Sequence, residues 1–327
     1  MALLGEFELI ARYFTQPVRR AALGVGDDCA LLTVAPGMAL AVSSDMLVEG
    51  RHFVSTVSPE RLGHKSLAVN LSDLAACGAR PLAFSLSLAL PTADEAFLAP
   101  FARGLLTLAE RHDCELVGGD TTRGPLTIAI TAFGEIANGA ALLRSGGRAG
   151  DDLWVSGTLG DARLALEVLR GTVAVAGDGF ARIRRAMEEP TPRVALGRAL
   201  VGIASSAIDV SDGLVGDLGH VLRRSGVGAV VEVDALPRSA DLAAQGEALQ
   251  RECLLAGGDD YELVFTAAAD RRAAVAAAGR SADTPVTRIG RIEPGSRLRF
   301  VDAAGREVIG PATAFDHFLA ASPAPAS

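Results

Sequence analysis

The sequence predicts a mixed α/β protein of two domains. Three observations carry that prediction. The chain has 327 residues, a length that suits two domains of ordinary size. Strand-like alternation and helix-like periodicity follow one another along it without a strict βαβ repeat. Near the middle, "ANGAALLRSGGRAGDD" is rich in glycine and small residues. It sets the boundary between an N-terminal domain, 1–140, and a C-terminal domain, 141–318, ahead of a disordered tail, 319–327.

The elements follow in order. "MALAVSSD" is a strand that ends in Asp45. "SPERLGHKSLAVNLSDLAACG" is a helix, with Ser58 as N-cap, Pro59 at the first helical position and Gly78 as the stop. "PLAFSLSLAL" is a strand. Thr92 and Glu95 then have capping-box spacing before a helix with Phe97, Phe101, Leu105 and Leu108 on one stripe. "CELVGG" and "LTIAITAFGEI" are strands. Past the boundary, "LWVSG" is a strand and "GDARLALEVLR" a helix. "SAIDVSDGLVGDLGHVLRRSG" gives a strand, a turn and a helix with Leu214, Leu218 and Val221 on one face. "AVVEVDAL" and "YELVFTA" are further strands.

Composition excludes several classes. Hydrophobic residues make up 49% of the chain, enough for a core, but the longest apolar runs are broken by Asp73, Arg80 and Pro91, too early for a membrane helix. The start, "MALLGEFELIARYF", has Glu6 and Glu8 and no basic region, unlike a signal peptide. A net charge of −8 argues against nucleic acid as a partner. Cys29, Cys77, Cys114 and Cys253 have no C-x-x-C spacing, which suits a reduced, cytoplasmic protein with neither a zinc site nor a disulfide framework. Lys65 is the only lysine, so phosphate chemistry here must use arginine, backbone N–H groups or metal ions. G-x-x-x-x-G-K-[ST] is absent, because Lys65 follows His64.

Aspartates recur at strand ends and glycine turns: Asp28 in "GVGDDCA", at the mouth of a strand, Asp45 in "VSSDML", Asp120 in "VGGDTTRG", Asp209 and Asp212 in "AIDVSDGL", Asp259 and Asp260 in "GGDDYEL". Each alone reads as a turn or cap residue. Asp73 does not: it sits mid-helix among Leu67, Leu71 and Leu74, three residues after Asn70. As a set, carboxylates without a His/Cys cluster describe a hard-cation site for Mg²⁺ or Mn²⁺. The helix start in "SDGL", with Arg123 and Arg144, offers anion contacts, although both arginines also suit ordinary loop ion pairs. These features leave a metal-dependent kinase, a metal-dependent phosphatase and a cation-binding protein open.

"GEFELIARYF", "GVGDDCALL", "SSDMLVEGRHF", "KSLAVNLSDLAACGARP", "VGGDTTRG", "RSGGRAGD", "AIDVSDGLVGDLGH", "GGDDYELVFT" and "FDHF" occur in this order from residue 5 to residue 318. Together they resemble the thiamine-monophosphate kinase family, within the aminoimidazole ribonucleotide synthetase-like superfamily. The resemblance implies an N-terminal sheet that pairs across a homodimer, a C-terminal α/β domain, and phosphorylation of thiamine monophosphate by ATP. It implies Asp28, Ser43, Ser44, Asp45, Asp73, Asp120, Asp209 and Asp212 as ligands to several Mg²⁺ ions. Gly119, Asp120, Arg144 and Ser211 would contact ATP, with His112 in the region of its base. His52, Asp259 and Phe315 would contact the thiamine moiety. One position departs from the family pattern: "GGDDYE" stands where G-G-E-D-Y-E is usual, so Asp259 is one methylene shorter. A phosphate acceptor is already deprotonated at neutral pH and needs no general base, so no catalytic nucleophile or base is expected.

Overall fold

The structure, a computed structural model, describes residues 5–26 and 28–308. Phe315 and the tail lie outside the described residues, as does Asp27. The chain divides into two units: Met1–Leu142 with Glu188–Gly202, and Leu143–Met187 with Ile203–Ser327.

The first unit opens with α1 (Glu6–Leu9), which continues as one wider π-helical turn through Phe14. Then come β1 (Met38–Val48), α2 (Pro59–Ala76), β2 (Arg80–Leu90), α3 (Glu95–Arg111), β3 (Glu115–Arg123) and β4 (Thr127–Ala137). The sheet order is β1-β4-β2-β3, with β2 and β3 parallel and the other pairs antiparallel. α3 is the crossover that the parallel pair requires. Ser58 caps α2 as expected, its hydroxyl accepting the Arg61 N–H at 3.4 Å, and Gly78 stops it with φ 74°. The cap of α3 differs from expectation. It is Asp94, whose Oδ1 accepts the Ala96 N–H at 2.9 Å, so the helix starts closer to its own carboxylate than the Thr92–Glu95 spacing predicts. Leu67, Leu71, Phe84, Phe101 and Leu105 are fully buried between the two helices and the sheet.

The segment after the N-terminal helix is held on the sheet by Glu115. Its buried carboxylate accepts the backbone N–H groups of Arg19, Arg20 and Ala21 at 2.8 to 3.2 Å. Burial raises the pKa of Glu115, but these bonds and the Arg19 charge outweigh burial and leave it below the usual value. "GVGDDCA" is not the mouth of a strand. Among the described residues no strand begins at Asp28, and Leu23 and Leu31 on either side of it form an isolated bridge.

The second unit contains β5 (Asp152–Ser156), α4 (Asp161–Leu169) and α5 (Gly179–Glu188). The intervening α6 (Val194–Leu200) belongs to the first unit and packs on α2, where a Cβ on Gly197 would lie 1.9 Å from the Ala75 carbonyl oxygen. β6 (Ser206–Asp209), α7 (Leu214–Ser225), β7 (Gly228–Glu232), α8 (Ala240–Ala243), α9 (Glu247–Ala256), β8 (Leu263–Ala267), α10 (Arg272–Ser281), β9 (Val286–Glu293), β10 (Leu298–Val301) and β11 (Glu307–Val308) complete it. Its mixed sheet runs β11-β10-β7-β9-β5-β8-β6. Leu214, Leu218 and Val221 form the predicted buried face of α7. β8 starts at Leu263, two residues later than "YELVFTA" suggests, because Tyr261 has a left-handed backbone, φ 52°. No described helix is long and apolar enough to cross a membrane.

Candidate functional site

In the first unit, β1 and α2 bring three of the predicted residues together. The Ser43 hydroxyl donates to Asp73 Oδ2, and the Asp45 backbone N–H donates to Asn70 Oδ1 at 3.2 Å. Asn70 is buried and anchors its own amide on the Ser66 carbonyl at 3.1 Å. The three-residue spacing of Asn70 and Asp73 thus latches one strand at two points. Strand alternation puts Ser43 and Asp45 on the helix-facing side. Ser44 points the other way, its hydroxyl paired with Thr131 Oγ1 at 3.0 Å.

Gly119 and Asp120 lie on β3, just past a bulge where Val117 has no partner on β2. Gly119 has φ 146°, and a Cβ there would lie 1.8 Å from the Leu86 carbonyl oxygen, so only glycine fits. Asp120 aligns with Ser87, Ala129 and Met46, the row on the face away from α2. It lines a cavity of about 880 Å³ with Asp28, Gly118 and Gly119. Phe7, Ile10 and Phe14 of the N-terminal helix also line it. The predicted ligands of this unit therefore fall in two groups: Ser43, Asp45 and Asp73 on one face of the sheet, Ser44, Asp28 and Asp120 on the other. The apolar stripe is a feature the sequence reading missed. Its 7, 10, 14 spacing is a helical signal hidden in a short segment.

His52 closes the turn after β1. Its Nδ1 accepts the Val48 N–H at 3.0 Å, so the neutral ring carries its proton on Nε2. His112 ends α3, where its backbone N–H meets the Leu108 carbonyl at 3.2 Å, and it is not among the residues lining the cavity.

In the second unit, Asp209 is buried at the end of β6, and Ser211 and Asp212 form the turn into α7. Asp217, one turn into α7, organises that turn. A single carboxylate oxygen accepts the N–H groups of Ser211 and Asp212, both at 3.0 Å. Burial and then the nearby Asp212 charge push Asp217 up to about 7. The Asp259 N–H donates to the Ser211 carbonyl at 2.8 Å, so a predicted thiamine contact is bonded to a predicted ATP contact. Arg144 is exposed on the segment before β5, its carbonyl accepting the Ser225 hydroxyl at 3.3 Å.

These donors are all oxygen, which fits Mg²⁺. Among the described residues no three His, Cys, Asp or Glu side chains gather into a metal cluster. Mg²⁺ does not need such a cage, since it is commonly bound by one or two carboxylates together with substrate phosphates.

Residues 26–136 match the AIR synthase related protein, N-terminal domain, and residues 148–303 match its C-terminal domain. The thiamine-monophosphate kinase of Salmonella typhimurium is 45% identical over 324 residues, covering 96% of this chain and 98% of that one. The chain belongs to the thiamine-monophosphate kinase family. Membership makes it a kinase. The crystal structure of the family's enzyme from Stenotrophomonas maltophilia superposes with a TM-score of 0.82 at 46% identity, covering 90% of this kinase and 94% of that chain. "AaThiL complexed with AMPPCP and TMP" superposes with a TM-score of 0.76 at 31% identity, covering 88% and 89%.

Proposed function

We propose that this kinase transfers the γ-phosphate of ATP directly to thiamine monophosphate, giving thiamine diphosphate and ADP, as a cytoplasmic homodimer. The observation that carries the chemistry is the cavity of about 880 Å³ where Asp28 and Asp120 stand beside glycine backbone. The acceptor class comes from the family, including the relative solved with AMPPCP and TMP.

Both reactants are polyanions, so charge cancellation and alignment dominate the barrier. Mg²⁺, held by Asp28, Ser43, Ser44, Asp45, Asp73, Asp120, Asp209 and Asp212, would cancel phosphate charge as it arrives with the nucleotide. The chain's own residues position the reactants. Gly119 offers main chain for ATP to meet, the adjacent Gly118 leaves open space beside it, and Ser211, on its Asp217-anchored turn, offers a further contact. Arg144 supplies a planar cation for phosphate oxygens. His52 offers an Nε2–H fixed in direction by its bond to Val48. Asp259 faces the thiamine moiety in this reading, together with Phe315. The acceptor phosphate attacks without surrendering a proton, so no protein group needs to act as base or nucleophile.

Incubation with ATP, Mg²⁺ and thiamine monophosphate tests the reading. Thiamine diphosphate and ADP in equal amounts are expected. Inorganic phosphate in their place would make the protein a phosphatase. With γ-labelled ATP and no acceptor, the denatured protein should carry no label, and a chiral γ-phosphate should arrive inverted. Stoichiometric label that the acceptor discharges would turn an aspartate such as Asp28 or Asp120 into a nucleophile.

A further inference from the structure

Asp260 lies beside the site, and the reaction as described gives it no part. It sits in "GGDDYE", between Asp259 at φ 72° and Tyr261 at φ 52°. These are two of only four non-glycine residues with left-handed backbone among the described residues. Adjacent strain of this kind persists only where surrounding contacts enforce it. The main chain here is stitched to the β6–α7 turn: Asp259 N–H to the Ser211 carbonyl, Tyr261 N–H to the Val210 carbonyl, and Val210 N–H to the Glu262 carbonyl, each at 2.8 Å. Gly258 leaves no alternative path, since a Cβ there would lie 2.4 Å from the Ser211 oxygen.

The side chain of Asp260 supplies the remaining tether. Its Oδ1 accepts the Gly160 N–H, at the start of α4, at 2.9 Å. Gly160 is fixed in turn, with φ 89° and no room for a Cβ, which would lie 2.9 Å from Leu242 and 3.0 Å from Cys253. The other oxygen, Oδ2, is sealed from solvent and has no hydrogen-bond partner.

We propose that Asp260 is a positioning residue for the thiamine end of the site, holding the Asp259–Tyr261 kink against the start of α4 so that Asp259 meets its substrate. This inference rests on the reading above. It also explains the unpartnered oxygen. Burial, and then the field of Glu262, Asp161 and Asp259, favours the protonated form of Asp260 despite the Gly160 bond. A neutral acid can remain sealed where a carboxylate with one bare oxygen could not. The effect is directed at one substrate. Ser211 and Asp212 have their own anchor in Asp217, so releasing Asp260 loosens Asp259 more than the ATP-side turn.

The test compares Asp260→Asn, which keeps an oxygen acceptor without charge, with Asp260→Ala and the bulkier Asp260→Leu. In Asp260→Asn, KM for thiamine monophosphate should stay within about threefold of wild type. In whichever apolar variant folds it should rise about tenfold or more, with KM for ATP within about threefold, a loss of the size seen when a group that orients a binding residue is removed. An unchanged KM in a folded apolar variant, or equal loss in the Asn variant, overturns the proposal. Amide exchange gives an arm independent of activity: Gly160 N–H should be protected in the wild type and in Asp260→Asn. Fast exchange there overturns the proposal even if neither apolar variant folds. A wild-type enzyme that ignores thiamine monophosphate would instead overturn the functional reading.

Discussion

Asp73 is the residue where sequence and structure meet most directly. A carboxylate among helix leucines has no capping task, and here it receives the Ser43 hydroxyl beside Asp45. Asp73→Asn keeps an oxygen for that bond and almost all the volume, but removes the charge. Turnover should fall on the order of 10²–10³-fold, the usual effect of losing one preorganised electrostatic contact. Thermal unfolding should hardly move. Normal turnover in the folded variant would remove Asp73 from the metal set. Gly119 sets a steric limit instead. Alanine there meets the Leu86 carbonyl at 1.8 Å on a backbone that L side chains rarely adopt. Gly119→Ala should cost about 1–3 kcal/mol in denaturant unfolding, as overpacking does. A variant as stable as wild type would mean that β2 and β3 separate more easily than their register implies.

At the scale of elements, α2 does two jobs: one face carries Asn70 and Asp73, and another meets the segment that contains α6. There His64 donates Nε2–H to the Pro190 carbonyl at 2.8 Å. Burial holds His64 and His112 below the usual value of 6.5, with the charge of His64 a further cause for His112. The sign follows from linkage. Below 6.5 the unfolded chain binds protons that the fold refuses, so the stability these histidines contribute is full above that value and is lost as pH falls through it. A His64→Gln/His112→Gln variant should lose less stability than wild type between about pH 7.5 and about 5.5 in urea titrations. Equal losses would show that neither ring stays neutral in the fold. Most elements were legible because their signals are local. The Ser58 cap, the Gly78 stop and the Leu214, Leu218, Val221 stripe each lie within one helix. Even the opposite facing of Ser43 and Ser44 follows from strand alternation. The row of Asp120 was not legible, because it depends on the bulge at Val117 and on pairing across three strands. Nor was the return of Glu188–Gly202 to the first unit, which a long-range contact with α2 decides. Residue types and spacing could name the candidate ligands, but only register divides them between two faces of the sheet.

At the scale of the whole molecule, the outer face of β1 is where the proposed homodimer can be tested. β1 is an edge strand, and Leu40, Val42 and Met46 on that face are 46%, 57% and 56% exposed. A single exposed apolar side chain needs no explanation, but three along an edge strand do. Such edges are usually guarded by charge or proline. "MALAVSSDMLV" has only Asp45, and alternation turns it toward α2. The half-buried Ala129, Thr131 and Phe133 of β4 extend the same surface. A second copy would satisfy it, because a two-fold contact would bring the same patch from each chain and leave no edge open. The protein should therefore sediment as a dimer at micromolar concentration, and Val42→Glu should sediment as a monomer with its secondary structure intact. Buried carboxylates facing their own symmetry mates would repel, and Arg80, the cation in the neighbouring row of this face, is already paired with Glu135. A wild-type monomer under those conditions would overturn the dimer, and a Val42→Glu protein that still dimerises would move the interface away from this strand.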